Sequence, residues 1–214
     1  MRRSGSYCRQ SHSPVAAKLL LASSNPGKLQ EFRVLALDAP LSVELELFPG
    51  FDKLPAFDEA APTFAENSLG KALYYAQQTA DYVLADDSGL VVPSLDGRPG
   101  VHSARYAGEN ASSEQRIAKL LEEMKDKREP DREAHFVCAL SLVRKEQALA
   151  VITARTDGEI LGSAQGKGGF GYDPVFYFPP LRKTFAELSA EEKNQHSHRG
   201  RAFRRLLAAL PDVL

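Results

Sequence analysis

The unbroken apolar run Leu19-Leu20-Leu21-Ala22 is followed at once by a polar turn, Ser23-Ser24-Asn25-Pro26-Gly27. A rough helical stripe of Leu29, Phe32, Val34, Leu35 and Leu37 comes next. A short run with no polar residue, bounded by a turn, reads as a buried strand. With Val43–Phe48 as the next strand, the chain opens as strand, loop, helix, strand, and an α/β architecture follows. Thr63 and Glu66 form a capping-box pattern ahead of a helix to about Gln78, with Leu69, Ala72, Leu73 and Ala76 on one face. Tyr82–Ala85 is a further buried strand, expected to end in Asp86-Asp87-Ser88-Gly89, with Leu90–Val92 continuing the sheet. An amphipathic helix over 113–126 precedes two long strands, 134–143 and 147–156, which read as a hairpin and bring an antiparallel section. A last helix, about 198–210, buries Ala202, Phe203, Leu206, Leu207 and Leu210 and is expected to expose His198 and Arg199 in its first turn.

No repeat or interior linker divides the chain, so residues 18–214 read as one domain. Residues 1–17, rich in Arg and Ser with no acid, read as a disordered extension or a misassigned start outside it, with an organellar transit peptide as the alternative. Lys and Arg number 27 against 28 Asp and Glu, a net charge of −1, so no global positive field draws the protein to nucleic acid or to an anionic membrane. Basic residues must act locally. Cys8 and Cys138 are too few to staple a domain of this size, and no Cys/His spacing suits zinc. No apolar run approaches the roughly 18 residues of a membrane span. These readings suggest a soluble protein of the reducing cytoplasm.

Four polar clusters carry candidate chemistry. Gly168-Gly169-Phe170-Gly171-Tyr172-Asp173-Pro174 suits neither a packed helix nor an ordinary strand; it offers flexible backbone, two flat aromatic faces and an acid as acceptor. A glycine-rich hairpin turn is the plain alternative. Ser23–Lys28 precedes a helix whose N-terminal amides attract phosphate, with Lys28 as a point charge, although on its own such a segment is more often plain helix capping, which Ser and Asn favour. The P-loop spacing is absent. Asp86 and Asp87 point to opposite faces if they lie on a strand, so one can address a cleft while the other secures backbone or a cation. A carboxylate there suits Mg²⁺ beside phosphates, or a water-orienting base; an Asx-turn is the alternative. Lys71, and Lys193 with His198 and Arg199, read on their own as solvated surface groups.

Taken in order, SNPGK at 24–28, Phe64-Ala65-Glu66-Asn67 with Lys71, ADDSGL at 85–90, PGVHSARYAG at 99–108, GGFGYDPVF at 168–176, Lys193-Asn194 and SHR at 197–199 resemble the inosine triphosphate pyrophosphatase family over residues 18–210. The resemblance implies an elongated mixed central sheet flanked by helices, in two lobes with the site in the cleft between them. It implies Mg²⁺-dependent hydrolysis of non-standard purine nucleoside triphosphates (ITP, dITP, XTP, dXTP) to the monophosphate and pyrophosphate, by a homodimer that cleanses the nucleotide pool. By position, Ser23, Ser24, Asn25, Pro26, Gly27 and Lys28 fall on the phosphate loop. Asp87 falls on the metal carboxylate and proton acceptor, with Ser88 beside it, and Glu59 on a second metal carboxylate. Lys71 falls on a phosphate-reaching lysine, Phe170, Gly171, Tyr172 and Asp173 on the base loop, and Lys193, His198 and Arg199 on residues that close over base and phosphates. The family's first loop usually begins Thr-Gly-Asn; here Ser24 replaces the glycine.

On this reading Lys28, Lys71, Lys193 and Arg199, with Mg²⁺, offset the roughly four charges of a triphosphate. The alternatives are a pyrophosphatase for another modified nucleotide and a non-catalytic nucleotide- or RNA-binding protein. Acids at 86 and 87 weigh against a pure binding module, because carboxylates repel phosphate unless a metal intervenes.

Overall fold

A computed structural model describes residues 17–37 and 42–213. The extension expected at 1–17 lies outside the described residues except for Ala17, which opens the first strand and does not belong to an extension. Seven strands form one mixed sheet in the order β2-β1-β3-β4-β5-β6-β7. β1 (Ala17–Leu21) pairs in parallel with β2 (Val43–Leu47) and β3 (Tyr82–Val91). Parallel neighbours need crossovers, and α1 (Pro26–Ala36) and α2 (Phe64–Ala76) supply them. From β3 onward the sheet is antiparallel, through β4 (Glu133–Arg144), β5 (Gln147–Ile160), β6 (Phe176–Phe178) and β7 (Lys183–Thr184). The helices α3 (Ser113–Glu123), α4 (Ala190–His196) and α5 (His198–Val213) complete the fold. The expected mixed sheet with flanking helices is therefore present.

Strand alternation sorts the core. Leu19, Leu21 and Leu84 face α1 and α5, where they meet Phe32, Phe203 and Leu206, whereas Leu20, Val83 and Ala85 face α2 and meet Ala72 and Tyr75. A separate cluster fills the other end of the long strands, where Leu90, Leu120, Phe136, Phe176 and Phe185 pack together. Full burial of one such Leu or Phe side chain is worth about 1.5–3 kcal/mol.

One expectation is overturned. ADDSGL does not end a strand: β3 runs unbroken through Asp86, Asp87, Ser88 and Gly89, each opposite a residue of β4. The apolar flanks on both sides hold the polar residues in the ladder, so an Asx-turn is excluded. Gly89 is the exception that this permits. A β-carbon there would collide with Ser103 Oγ and with the Gly100 carbonyl, so its absence lets the 3₁₀ segment Gly100–Arg105 lie against the strand.

Candidate active site

Alternation along β3 decides where its acids go. Asp86 and Ser88 share the face of Leu84, toward α1 and α5; Asp87 shares the face of Ala85, toward α2. Two charged clusters result, back to back on one strand.

On the first face a cleft of about 500 Å³ is lined by Ser23, Ser24, Asn25, Lys28, Ser88, Phe170, Gly171, Tyr172, Asp173, Lys193, His198 and Arg199, among others. Ser103 and Ala104 of the 99–108 motif line it too, with Ser113, Arg116 and Phe136, which the sequence did not single out. Pro26 and Gly27 belong to the same loop but stay off the lining. The loop geometry follows from capping: Asn25 Oδ1 accepts from the amides of Gly27 (2.9 Å) and Lys28 (3.4 Å), and Pro26 opens α1 where no amide is needed. Capping is thus present, and it presents the loop's side chains to the cleft. Every non-glycine residue with a left-handed backbone is elsewhere, at Asp96, Lys145 and Arg182 among the described residues, so Ser24 sits without the strain that a lost glycine would bring.

The 168–174 loop is held by its own acid. Asp173 Oδ2 accepts from the Phe170 amide at 2.8 Å and from Lys193 Nζ at 2.7 Å. Gly169 has φ +70, and a β-carbon there would overlap that carboxylate. Asp173 is thus a fixed acceptor, as expected, and its Oδ2 is already spent on fastening the loop and Lys193. Tyr172 is buried, and its hydroxyl donates to the Ser103 carbonyl at 3.0 Å, so only Phe170 remains as the open aromatic face, 38% exposed. Lys193 Nζ and the Arg199 guanidinium lie 4.4 and 5.4 Å from its ring centre.

His198, Arg199 and Lys193 are not surface groups; each is less than a tenth exposed. Buried cations need partners, and Glu31 on α1 is the one that sequence reasoning missed. It accepts from Arg199 Nη1 at 2.6 Å and pairs with Lys193 at 3.1 Å. Burial pushes the Glu31 carboxyl up, but the two cations outweigh it and hold the group below the ordinary range. Asp86, fully buried, accepts from Lys28 Nζ at 2.9 Å and lies 3.7 Å from Arg199 Nε. Burial again raises its pKa, but Lys28, Arg199 and Lys71 together pull it far below the usual value. His198 stacks on Phe136 with centroids 4.7 Å apart; burial, with Arg199 and Lys193 nearby, drives its pKa well below the ordinary histidine value and keeps it neutral.

On the second face Lys71, also buried, donates to Glu59 Oε1 at 2.5 Å and to the Asp86 carbonyl at 2.6 Å. Asp87 Oδ2 accepts from Asn67 Nδ2 at 3.0 Å. Burial, and then the Glu59 charge, push Asp87 up to about 6 against the pull of Lys71. Glu66 stays out of this cluster, engaged at its cap by the Thr63 hydroxyl, which donates to Oε2 at 2.7 Å.

These pairings revise the charge account. Lys28, Lys193 and Arg199 face Asp86, Asp173 and Glu31, three against three, so they do not stand free to offset a triphosphate. Lys71 alone faces two carboxylates, Glu59 and Asp87, and the Glu59 charge adds to burial in raising the pKa of Asp87. A hard divalent cation would offset that charge, and a pair of carboxylates with phosphate oxygens to complete the shell is what Mg²⁺ takes. Among the described residues no group of three or more His, Cys, Asp or Glu forms a metal cage, so such an ion would take the rest of its ligands from water and from a bound anion.

Fold and site together define a class: an α/β protein with a cleft of one open aromatic ring and several cationic nitrogens on one face of a strand, and a carboxylate pair with a lysine on the other. The model of the Ham1 family matches residues 19–209, and the chain belongs to that family. The dITP/XTP pyrophosphatase of Geobacillus kaustophilus is 47% identical over 189 residues, 88% of this chain and 92% of that protein. The dITP/XTP pyrophosphatase of Photorhabdus laumondii is 44% identical over 195 residues, 90% and 98% of the two chains. Among solved structures, a HAM1 protein from Coxiella burnetii superposes with a TM-score of 0.82 at 40% identity, covering 92% of this chain and 99% of that one. The resemblance drawn from the motifs is borne out, and so is the enzyme class it implied, a nucleoside triphosphate pyrophosphatase.

Proposed function

We propose that this chain hydrolyses non-standard purine nucleoside triphosphates, dITP and ITP with XTP and dXTP, to the monophosphate and pyrophosphate with Mg²⁺, and so cleanses the nucleotide pool of the cytoplasm as a homodimer. The observation that carries the reading is the strand that joins the two clusters. Ser88 opens onto the cleft that holds Phe170, and its neighbour Asp87 turns to Glu59 and Lys71. A nucleotide whose base lies on Phe170 would run its phosphates past β3 to the carboxylate pair.

In this mechanism Phe170 stacks the base and the loop Ser23–Lys28 takes phosphate oxygens, with Lys28 exchanging Asp86 for the substrate. Asp87 orients the attacking water and accepts its proton; a pKa near neutrality suits a base that must be ionised yet still hold a proton. Glu59 and Asp87 would hold Mg²⁺, which when bound draws charge from the phosphate oxygens and the leaving pyrophosphate. Lys71 supplies the remaining positive charge. Attack at the α-phosphorus leaves pyrophosphate whole.

Selecting a 6-oxo purine over adenine needs a donor at that edge, because a 6-amino group would set donor against donor. Arg199 is the proposed donor. Its Nη1 and Nη2 are bonded to Glu31 and Ser88 while Nε makes no hydrogen bond, so the guanidinium is held in a fixed plane beside Phe170. Excluding guanine's 2-amino group falls to the backbone of the 170–173 loop, held by Asp173.

The test is hydrolysis of ITP, XTP, GTP, ATP and dTTP with and without Mg²⁺, with the released phosphate identified. The expected result is metal-dependent pyrophosphate release from ITP and XTP, with GTP and ATP slower by about tenfold or more (~1.4 kcal/mol). Orthophosphate as the product, or preference for a pyrimidine, defeats the proposal. If Arg199→Ala lowers ITP and ATP turnover equally, Arg199 serves phosphate and not the base.

A further inference from the structure

Helix α2 carries a fully buried amide that the reaction above does not use. Three hydrogen bonds occupy the Asn67 side chain. Oδ1 accepts from the Ala61 amide at 2.9 Å, Nδ2 donates to the Ala61 carbonyl at 3.3 Å, and the same nitrogen donates to Asp87 Oδ2 at 3.0 Å. The two bonds to Ala61 close a ring between a side-chain amide and the backbone of one residue. They settle which end of the amide is oxygen and fix its plane. With the plane fixed, the remaining N–H has one direction left, and the Asp87 carboxylate lies along it.

Glu59, two residues before Ala61, is tied separately. Arg105 Nη2 donates to the Glu59 carbonyl at 2.9 Å, reaching across from the 3₁₀ segment that Gly89 lets approach β3. Residues 55–63 have no helix or strand of their own, so these side chains set where the Glu59 carboxylate stands relative to Asp87.

The geometry points to Asn67 and Arg105 as positioning residues for the Glu59–Asp87 pair, an inference that rests on the metal role proposed above. Asn67 takes Asp87 Oδ2 and leaves Oδ1, which accepts no hydrogen bond among the described residues, for the ion. Asn67 and Arg105 together clamp the 59–61 segment so that both carboxylates reach one site. An amide buried only to fill and satisfy the core would affect stability alone. A positioning role shows instead in metal affinity, since the groups that orient metal ligands are worth about 10–100-fold in binding.

The experiment compares the full chain with Asn67→Ala and Arg105→Ala. It measures Mn²⁺ binding by electron paramagnetic resonance without nucleotide, the Mg²⁺ concentration for half-maximal rate, kcat and KM for ITP, and thermal unfolding. The expected result in both variants is Mn²⁺ binding weaker by about tenfold, a matching rise in the Mg²⁺ requirement, and a KM for ITP at saturating Mg²⁺ within about twofold of the parent. Folded variants that bind Mn²⁺ like the parent overturn the inference, as does a parent chain that binds no Mn²⁺. Should Asn67→Ala fail to fold, Arg105→Ala decides, because Arg105 is only half-buried and gives up a single bond to a carbonyl. A parent chain that binds Mn²⁺ yet hydrolyses none of the triphosphates sinks the proposed reaction while leaving the positioning role to the Mn²⁺ result. An active parent with unaltered variants does the reverse.

Discussion

Asp86 and Asp87 are consecutive, chemically identical and both buried, yet their surroundings drive them apart. Asp86 faces Lys28 and Arg199, and its carboxyl is held far below the ordinary range; Asp87 faces Glu59, Asn67 and a single lysine, and is pushed up to about 6. One step along a strand reverses the face, and with the face the charge environment. The lesson is a division of labour. The Asp86 face stores paired charge that holds α1, β3 and α5 together, whereas the Asp87 face keeps an acid in tension and ready for proton and cation. Two carboxylates that share a single lysine are poor for stability and good for chemistry.

The strongest way to break this comparison is to make the same substitution on both sides. Asp87→Asn keeps the shape and removes the base and a metal charge, so kcat should fall by about 10²–10⁴ while the protein stays folded. Asp86→Asn leaves the half-buried Lys28 and the buried Arg199 with one partner fewer. Its main effect should be on folding, with about 3–5 kcal/mol lost in urea denaturation. If the two variants lose turnover and stability in equal measure, the faces are not specialised.

The pH dependence of stability sharpens the contrast, measured without divalent metal. For Asp87 the folded pKa lies above the ordinary 3.8, so the folded state holds its proton while the unfolded chain releases it. Stability therefore falls as pH rises from about 4 to about 6, by on the order of 3 kcal/mol, and the penalty is complete above that range. Asp87→Asn removes the penalty, so the variant should match the parent near pH 4 and unfold at a higher temperature near pH 7.5. Asp86 and Glu31 have the opposite sign. Their folded pKa values are lowered, so their contribution is complete above the ordinary carboxylate range and is lost as pH falls through the lowered values. A variant Asp87→Asn that is no more stable at pH 7.5 than the parent would contradict the raised pKa.

Much of this was legible in the sequence, for reasons that also explain what was not. Strong periodicity and caps located α1, α2, α3 and the β4–β5 hairpin, because each is decided by its own residues. β6 and β7, three and two residues long, carry too few positions for a pattern, and pairing with neighbours made them strands. At 86–89 the polar letters suggested a turn, but the apolar residues before and after them extended the ladder. Lys71, Lys193, His198 and Arg199 read as solvated because a charged residue on a helix usually is; only the tertiary approach of Glu31, Glu59 and Asp173 makes their burial tolerable. Glu31 sits on α1 three residues after Lys28, and nothing local marks it. Its role is visible only once α1, α4 and α5 converge.

The smallest expected effect concerns Ser24, where the family's loop usually has glycine. Were glycine's left-handed freedom required there, serine would strain the loop at a cost of about 1 kcal/mol or more, and restoring glycine would tighten substrate binding several-fold. The described backbone shows no such strain, and Ser24 is exposed within a loop already fixed by the Asn25 cap and by the Asn25 amide, which donates to Ser23 Oγ at 3.1 Å. Glycine would then bring only added freedom in the unfolded chain, a loss of about 0.4–1 kcal/mol in stability. Ser24→Gly should therefore leave KM for ITP within about twofold and lower the unfolding midpoint slightly. A KM several-fold lower in that variant would show that the loop adopts its working shape only with a backbone that serine resists, and that the Asp86 side of β3 is less rigid than its pairing implies.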